Sequence, residues 1–290
     1  MNRRKILLFI ISSSVLMLIV PGCSKKSNEF NPDKEITVVA RDAASGTRGA
    51  FHEIMNIKVK SKDAETDNLV VGALEFDGTD KVITAVEGDM HGIGYISLGS
   101  VSDRIKAVSV NGAAPTEENV KNGSYVVSRP FLLVTKGDEN ELVKDFLEFC
   151  QSLRGQEITL SKHYIPGAEE ANEYTAKGLS GTIKVAGSTS VSPLMEKMQE
   201  EYRSLNPDVT FEMQSNGSSQ GIKAAMDGSY DIGMSSRELK EDEAKELNRH
   251  LMAIDGIAVI VNKNNPINDI SSKDITKIYT GEISTWSQVE

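Results

Sequence analysis

Arg41, Ser45, Gly46 and Thr47 stand together in the stretch Arg41-Asp42-Ala43-Ala44-Ser45-Gly46-Thr47-Arg48. A guanidinium makes forked hydrogen bonds to phosphate or carboxylate oxygens. Hydroxyls add neutral donors, and a glycine lets backbone N–H groups crowd around an anion. The stretch therefore has the parts of half an oxyanion clamp. Taken alone, it reads more simply as a turn, with Ser45 capping a helix and Arg41 on the surface. Three similar Gly/Ser/Thr loops change that balance. They lie at 187–190, 216–221 and 233–237, and contain Thr189, Ser190, Ser218 and Ser236.

The elements that must position these loops follow from the pattern of apolar residues. Ile36 to Ala40 is strand-like, and a helix is expected from near Thr47. Further strands are expected at 70–74, 92–96, 105–110, 182–186, 209–214, 230–234 and 252–261. Helices are expected at 79–88, 138–151, from Pro193 to Leu205, from Ser235, and at 271–279. Residues 125–134 read as extended, with Pro130 breaking the ladder, and 161–181 as a linker. The alternation predicts an α/β fold with mostly parallel sheets. Ligands in such folds bind beyond the carboxyl ends of strands, where helix N-termini present free N–H groups. All four loops fall at such strand-to-helix junctions, which points to an anion held by several of them.

The chain has 290 residues and a formal net charge of -10. Residues 1–22 carry Arg3, Arg4 and Lys5 ahead of an apolar run and end before Cys23, in the manner of a bacterial lipoprotein export signal. The apolar run is short for a membrane span, although an uncleaved anchor is the alternative. Cleavage would make Cys23 the lipidated N-terminus and 23–34 a tether, and would place the body on the extracytoplasmic face of the cell membrane. Without those three cations the net charge falls from -10 to -13. So acidic a body argues against nucleic acid and against a polybasic membrane contact. Cys150, the other cysteine, lies in an amphipathic pattern and is expected in the core. His52, His91, His163 and His250 show no metal-ligand spacing, and each is expected as a surface or packing residue. No cofactor, metal or catalytic residue is indicated. Trp286 is expected in the core.

At the four loops, and at 92–100, 128–131 and 255–262, the sequence closely resembles the phosphate-binding lipoproteins of phosphate ABC transporters (the PstS family, of the periplasmic-binding-protein type). The resemblance covers nearly all of 35–290. It implies a two-lobed α/β fold with a hinge, capture of inorganic phosphate, delivery to an ABC transporter permease, and a lipid anchor as the link to the membrane. It implies phosphate contacts at Arg41, Ser45, Gly46, Thr47, Thr189, Ser190, Ser218 and Ser236. The segment order departs from the family, whose 187–190 loop comes near the mature N-terminus. This suggests a circular permutant, with 35–104 as the first part of lobe 2, 105–262 as lobe 1, and 263–290 as the hinge return and the rest of lobe 2. Some members also carry an Asp where Ser236 stands, an acceptor for the phosphate proton. Ser236, Asp42, Asp255 and Glu238 are the candidates for that role here. The other functions weighed are binding of sulfate or molybdate, phosphate sensing, and a Ser-dependent phosphohydrolase.

Overall fold

The computed structural model describes residues 29–60, 65–168 and 170–290. The expected export signal and Cys23 lie outside the described residues. In chain order the elements are β1 (Thr37–Arg41), α1 (Gly46–Ile54), β2 (Lys58–Lys60), β3 (Glu65–Asp67), β4 (Leu74–Phe76), α2 (Thr79–Gly88), β5 (Gly92–Ser97), β6 (Lys106–Val110) and α3 (Glu117–Lys121). Then follow β7 (Ser128–Lys136), α4 (Glu141–Gln151), α5 (Leu153–Ser161), β8 (Ile165–Pro166), β9 (Gly181–Gly187), α6 (Ser192–Leu205), β10 (Val209–Ser215) and α7 (Ser218–Asp227). The chain ends with β11 (Ile232–Ser235), α8 (Glu241–Glu246), β12 (Leu247–Val261), β13 (Asp269–Ile270) and α9 (Ser272–Thr280).

One strand joins two cores. From Leu247 to Gly256, β12 pairs antiparallel with β7, in the sheet order β10-β9-β11-β7-β12. From Ile257 to Val261 it pairs instead with β5, and over its last residues also with β6. Phe131, Phe146, Phe149, Met195, Met198 and Tyr202 pack on the first part. Ile93, Tyr95, Val108, Tyr125, Val259 and Trp286 pack on the second. The result is a Ser218 lobe and an Arg41 lobe. The cores divide the chain at other points than the expected 104/105 and 262/263. Val108, Val120 and Val127 all belong to the Arg41 core, and the crossings fall near Ser128 and Gly256. Part of the stretch expected as tether is docked too, since the Phe30 ring stacks on His91 with centroids 5.1 Å apart.

Several local expectations change for physical reasons. The sheets are not mostly parallel, because β7 and β12 run antiparallel to their neighbours through the middle of the molecule. Pro130 does not break β7. It sits opposite Ile254, on a stretch that β11 does not reach, since β11 pairs only with 132–134. A missing N–H is tolerated where the strand has a partner on one side. The strand expected at 70–74 starts later, as Gly72 turns the chain with φ +96° and Val70 N–H is taken by Tyr279 O at 2.8 Å. Ser236 does not open a helix, because α8 begins only at Glu241.

The C-terminal segment completes the Arg41 lobe. The pair Ser271 and Asp274 caps α9, whose Ile275, Ile278 and Tyr279 are buried. Trp286 is 3% exposed and its Nε1 donates to His91 O at 3.0 Å. Ile36 N–H donates to Ser284 O at 2.8 Å and Ser287 N–H to Pro32 O at 2.9 Å, so the end of the chain lies beside its described beginning. Ending the chain at Ile267 should therefore strip the Arg41 core of Ile275, Ile278, Tyr279 and Trp286. Loss of a single such aromatic costs ~3–5 kcal/mol. The expected outcome is a lobe that binds an apolar dye and has no cooperative melt; a truncated chain melting like the full one would contradict this packing.

Candidate anion-binding site

β1 delivers Arg41 to its carboxyl end, and α1 starts five residues later at Gly46. Ser45 caps α1 and accepts from Arg48 N–H at 3.4 Å, so the capping role read for it is present. Arg41 is not a surface residue, being 2% exposed. Its guanidinium is cradled by the loop before α2. Nε donates to Phe76 O at 3.2 Å, Nη2 to Asp77 O at 3.1 Å, and Nη1 reaches Thr79 Oγ1 at 3.4 Å. Burial lowers the Arg41 pKa from its usual value, and the neighbouring Asp42 carboxylate pulls it back. The side chain stays a cation.

The second wall comes from the Ser218 lobe. Gly187 turns the chain out of β9 with φ +139°, a conformation suited to glycine, and leads into Ser188, Thr189, Ser190 and then α6. Gly217, at φ +103°, leads into α7 and leaves Ser218 at its first position. Ser236 follows β11 directly. The three serines form one buried cluster: Ser188 Oγ donates to Ser236 Oγ at 2.9 Å, and Ser236 N–H donates to Ser218 Oγ at 3.0 Å. The Ser218 and Ser236 hydroxyls are 3.2 Å apart.

The two walls meet. Arg41 Nη2 donates to Thr189 Oγ1 at 3.0 Å, and Thr47 Oγ1 lies 2.9 Å from Ser190 Oγ. Ser219 N–H donates across the cleft to Ala44 O at 3.2 Å. Gly46 faces the serine cluster so closely that a Cβ there would strike the Ser218 side chain and come within 2.8 Å of Ser236 Oγ. All eight residues proposed as phosphate contacts thus lie in one cleft, and all but Thr189 are buried. Two helix N-termini, those of α1 and α7, open onto it, and their dipoles favour negative charge there.

Other members of the site had no such signature. The carbonyls of Phe76 and Asp77 hold Arg41, and backbone acceptors leave no mark in the residue types. Thr79 could have been found, because it follows Gly78 at a strand-to-helix junction like those already singled out. His52 is more than a packing residue: its Nδ1 lies 2.9 Å from Asp67 Oδ1 and its Nε2 3.2 Å from Tyr95 Oη. At the crossing between the lobes, Arg129 Nη2 donates to Asp255 Oδ2 at 2.9 Å and Ser97 Oγ to Asp255 Oδ1 at 2.8 Å. Burial raises the Asp255 pKa to about 6 against the pull of Arg129.

A family model described as a PBP superfamily domain matches residues 11–153 and 172–290. The chain belongs to that superfamily. It is 41% identical over 293 residues to the phosphate-binding protein PstS 2 of Streptococcus agalactiae, covering 100% of this chain and 99% of that one. It is 38% identical over 288 residues to the phosphate-binding protein PstS 2 of Streptococcus pneumoniae, covering 99% of both. Among solved structures it is similar to a phosphate-binding protein of a phosphate ABC transporter from Streptococcus pneumoniae, with a TM-score of 0.73 and 41% identity over 88% of this chain and 100% of that one. Alignments that span both chains from end to end mean that its segment order is shared with these relatives of the PBP superfamily.

The buried His52 makes stability depend on pH. Burial lowers its pKa from 6.5 to about 4, against the pull of Asp67. Between those values the unfolded chain binds a proton at this residue and the folded chain does not, so folding weakens as pH falls. The full effect is about 3 kcal/mol. Asp255 titrates oppositely over much of the same window, since its folded pKa is raised. The informative measurement is therefore the difference between wild type and His52→Gln in denaturant titrations from pH 7 to pH 4. Wild type should lose ground to the variant as pH falls; parallel profiles would remove the role assigned to His52.

Proposed function

We infer that this chain captures inorganic phosphate between its two lobes, outside the cytoplasmic membrane, and passes it to an ABC transporter permease. The observation that carries the reading is the meeting of Arg41 and Thr47 from one lobe with Thr189 and Ser190 from the other, beside the Ser188–Ser218–Ser236 cluster. The similarity to phosphate-binding proteins of streptococci supports the reading. Hydroxyls and helix N–H groups would replace the anion's hydration shell, with Arg41 as countercharge. Opening and closing about the crossings near Ser128 and Gly256 would admit and release it. The membrane link would be a lipid on Cys23, and the segment order, shared with the PstS 2 relatives, would be that of a circular permutant of the wider family; the contacts of Pro32 and Ile36 with Ser287 and Ser284 fit such an arrangement.

For the acceptor of a phosphate proton, Ser236 and Asp42 are favoured here over Glu238 and Asp255. Glu238 is turned to Arg249, whose Nη2 donates to it at 2.8 Å, and Asp255 is held by Arg129 and Ser97. With an acceptor in the cleft, a protonated phosphate is favoured over sulfate, which brings no proton. A Ser-dependent hydrolase would need a base on its serine. The described histidines face elsewhere: His52 contacts Asp67 and Tyr95, His91 contacts Asn31 and Phe30, His163 contacts Glu117, and His250 contacts Glu139.

Thermal melts with phosphate and with sulfate at matched ionic strength test this reading. A ligand at 100 times its Kd adds ~2.7 kcal/mol of stability. Phosphate should raise the melting temperature and sulfate should not. Arg41→Ala should reduce the phosphate shift more than Arg48→Ala, since Arg48 lies behind the cleft in contact with Asp67 and Glu75. Equal shifts with both anions, or equal loss in both variants, would contradict the assignment.

A further inference from the structure

Arg41 ends β1 at a place where the sheet leaves its backbone uncovered on one side. Asp42 N–H donates to Phe76 O on the β4 side at 2.9 Å. Neighbouring residues of a strand point their backbone groups to opposite edges, so the N–H and C=O of Arg41 face the β5 side. There β5 pairs with β1 only through Thr37 and Val38. Side chains take the place of the missing strand. Arg41 N–H donates to Tyr95 Oη at 3.2 Å. Tyr95 Oη lies 3.2 Å from His52 Nε2, and His52 Nδ1 lies 2.9 Å from Asp67 Oδ1. Arg48 Nε donates to Asp67 Oδ2 at 2.9 Å, and Arg48 Nη1 donates to Arg41 O at 3.0 Å. The path begins on the N–H of Arg41 and ends on the C=O of the same residue.

The donors and acceptors along it fit one direction. Because Tyr95 Oη accepts from Arg41, its own proton goes to His52 Nε2. His52 Nε2 is then the bare nitrogen, and Nδ1–H donates to Asp67. Asp67 accepts on one oxygen from His52 and on the other from Arg48. Although partial burial pushes the other way, His52 and Arg48 hold Asp67 below the usual carboxylate range. The Tyr95 ring is fixed by stacking on Phe51, with centroids 4.0 Å apart.

We propose that Tyr95, His52, Asp67 and Arg48 form a closed hydrogen-bond ring that fixes the backbone of Arg41 and so aims its guanidinium into the cleft. None of the four is needed to touch the anion. They are positioning residues, and the ring couples the polar surface at Asp67 to the depth of the site. A buried N–H with no partner carries a desolvation penalty, so opening the ring loosens the residue that supplies the countercharge.

This inference rests on the phosphate reading for its functional consequence, and the test separates the two. Tyr95→Phe removes one hydroxyl and keeps the ring stack. Asp67→Asn changes a partly exposed group and breaks the match to Arg48 without entering the core. His52→Gln keeps one acceptor and one donor. Phosphate affinity is measured by calorimetry, and exchange of the Arg41 amide is followed by NMR in the same proteins without phosphate. Tyr95→Phe and Asp67→Asn should each weaken phosphate binding about tenfold and speed Arg41 exchange about tenfold. His52→Gln should stay within about threefold of wild type in both. Wild-type affinity and exchange in Tyr95→Phe and Asp67→Asn would overturn the ring. If wild type itself bound no phosphate, the functional reading would fall, and the exchange rates alone would decide the ring.

Discussion

A guanidinium buried between two lobes has to be held from every side, and much of this structure follows from that requirement for Arg41. Removing a cation from water is expensive unless hydrogen bonds replace its hydration. The replacements come from the Phe76 and Asp77 carbonyls and Thr79 in one lobe, and from Thr189 in the other. The cation therefore sits at the seam, and an anion bound there would serve both walls at once. The close approach at Gly46 follows from the same constraint. Only a residue without a Cβ lets α1 bring its N-terminus against the serine cluster.

The lobes can move against each other only where the chain crosses between them. β12 crosses at Gly256 and β7 begins at Ser128, and these two positions face each other in register. One position further, Arg129 faces Asp255, and the pair is buried and hydrogen-bonded, with Ser97 as a third partner. A buried ion pair contributes little net stability, but removing one partner leaves an uncompensated charge. Its place at the crossing ties the two strands together where a hinge must bend without slipping.

The Gly/Ser/Thr loops were legible in the sequence because they are local. Arg41 to Thr47, 187–190 and 216–221 each carry their chemistry in a few consecutive residues, and glycine and hydroxyl side chains have few other reasons to gather at strand ends. The loops holding Ser190, Ser218 and Ser236 are accordingly brought against the start of α1. The strand path was not legible. That β12 serves two cores depends on pairings between residues far apart in the chain, and an apolar run from Met252 to Val261 looks the same whether it fills one lobe or spans two. His52 is the packing residue expected, but its hydrogen bonds were not legible for the same reason. Its partners, Asp67 and Tyr95, come from other elements, and no spacing rule links them. Nothing in the sequence sets Ser188 apart from its neighbours Thr189 and Ser190, since only the fold turns its hydroxyl to Ser236.

The central claim is that one oxyanion draws the two lobes together across the Arg41–Thr189 and Thr47–Ser190 contacts. Small-angle X-ray scattering of the chain, first stripped of bound anion by unfolding and refolding and then given an equivalent of phosphate, tests it directly. The radius of gyration should fall on adding phosphate and stay there with further additions. An unchanged radius in a chain that binds phosphate would show that capture does not close the cleft.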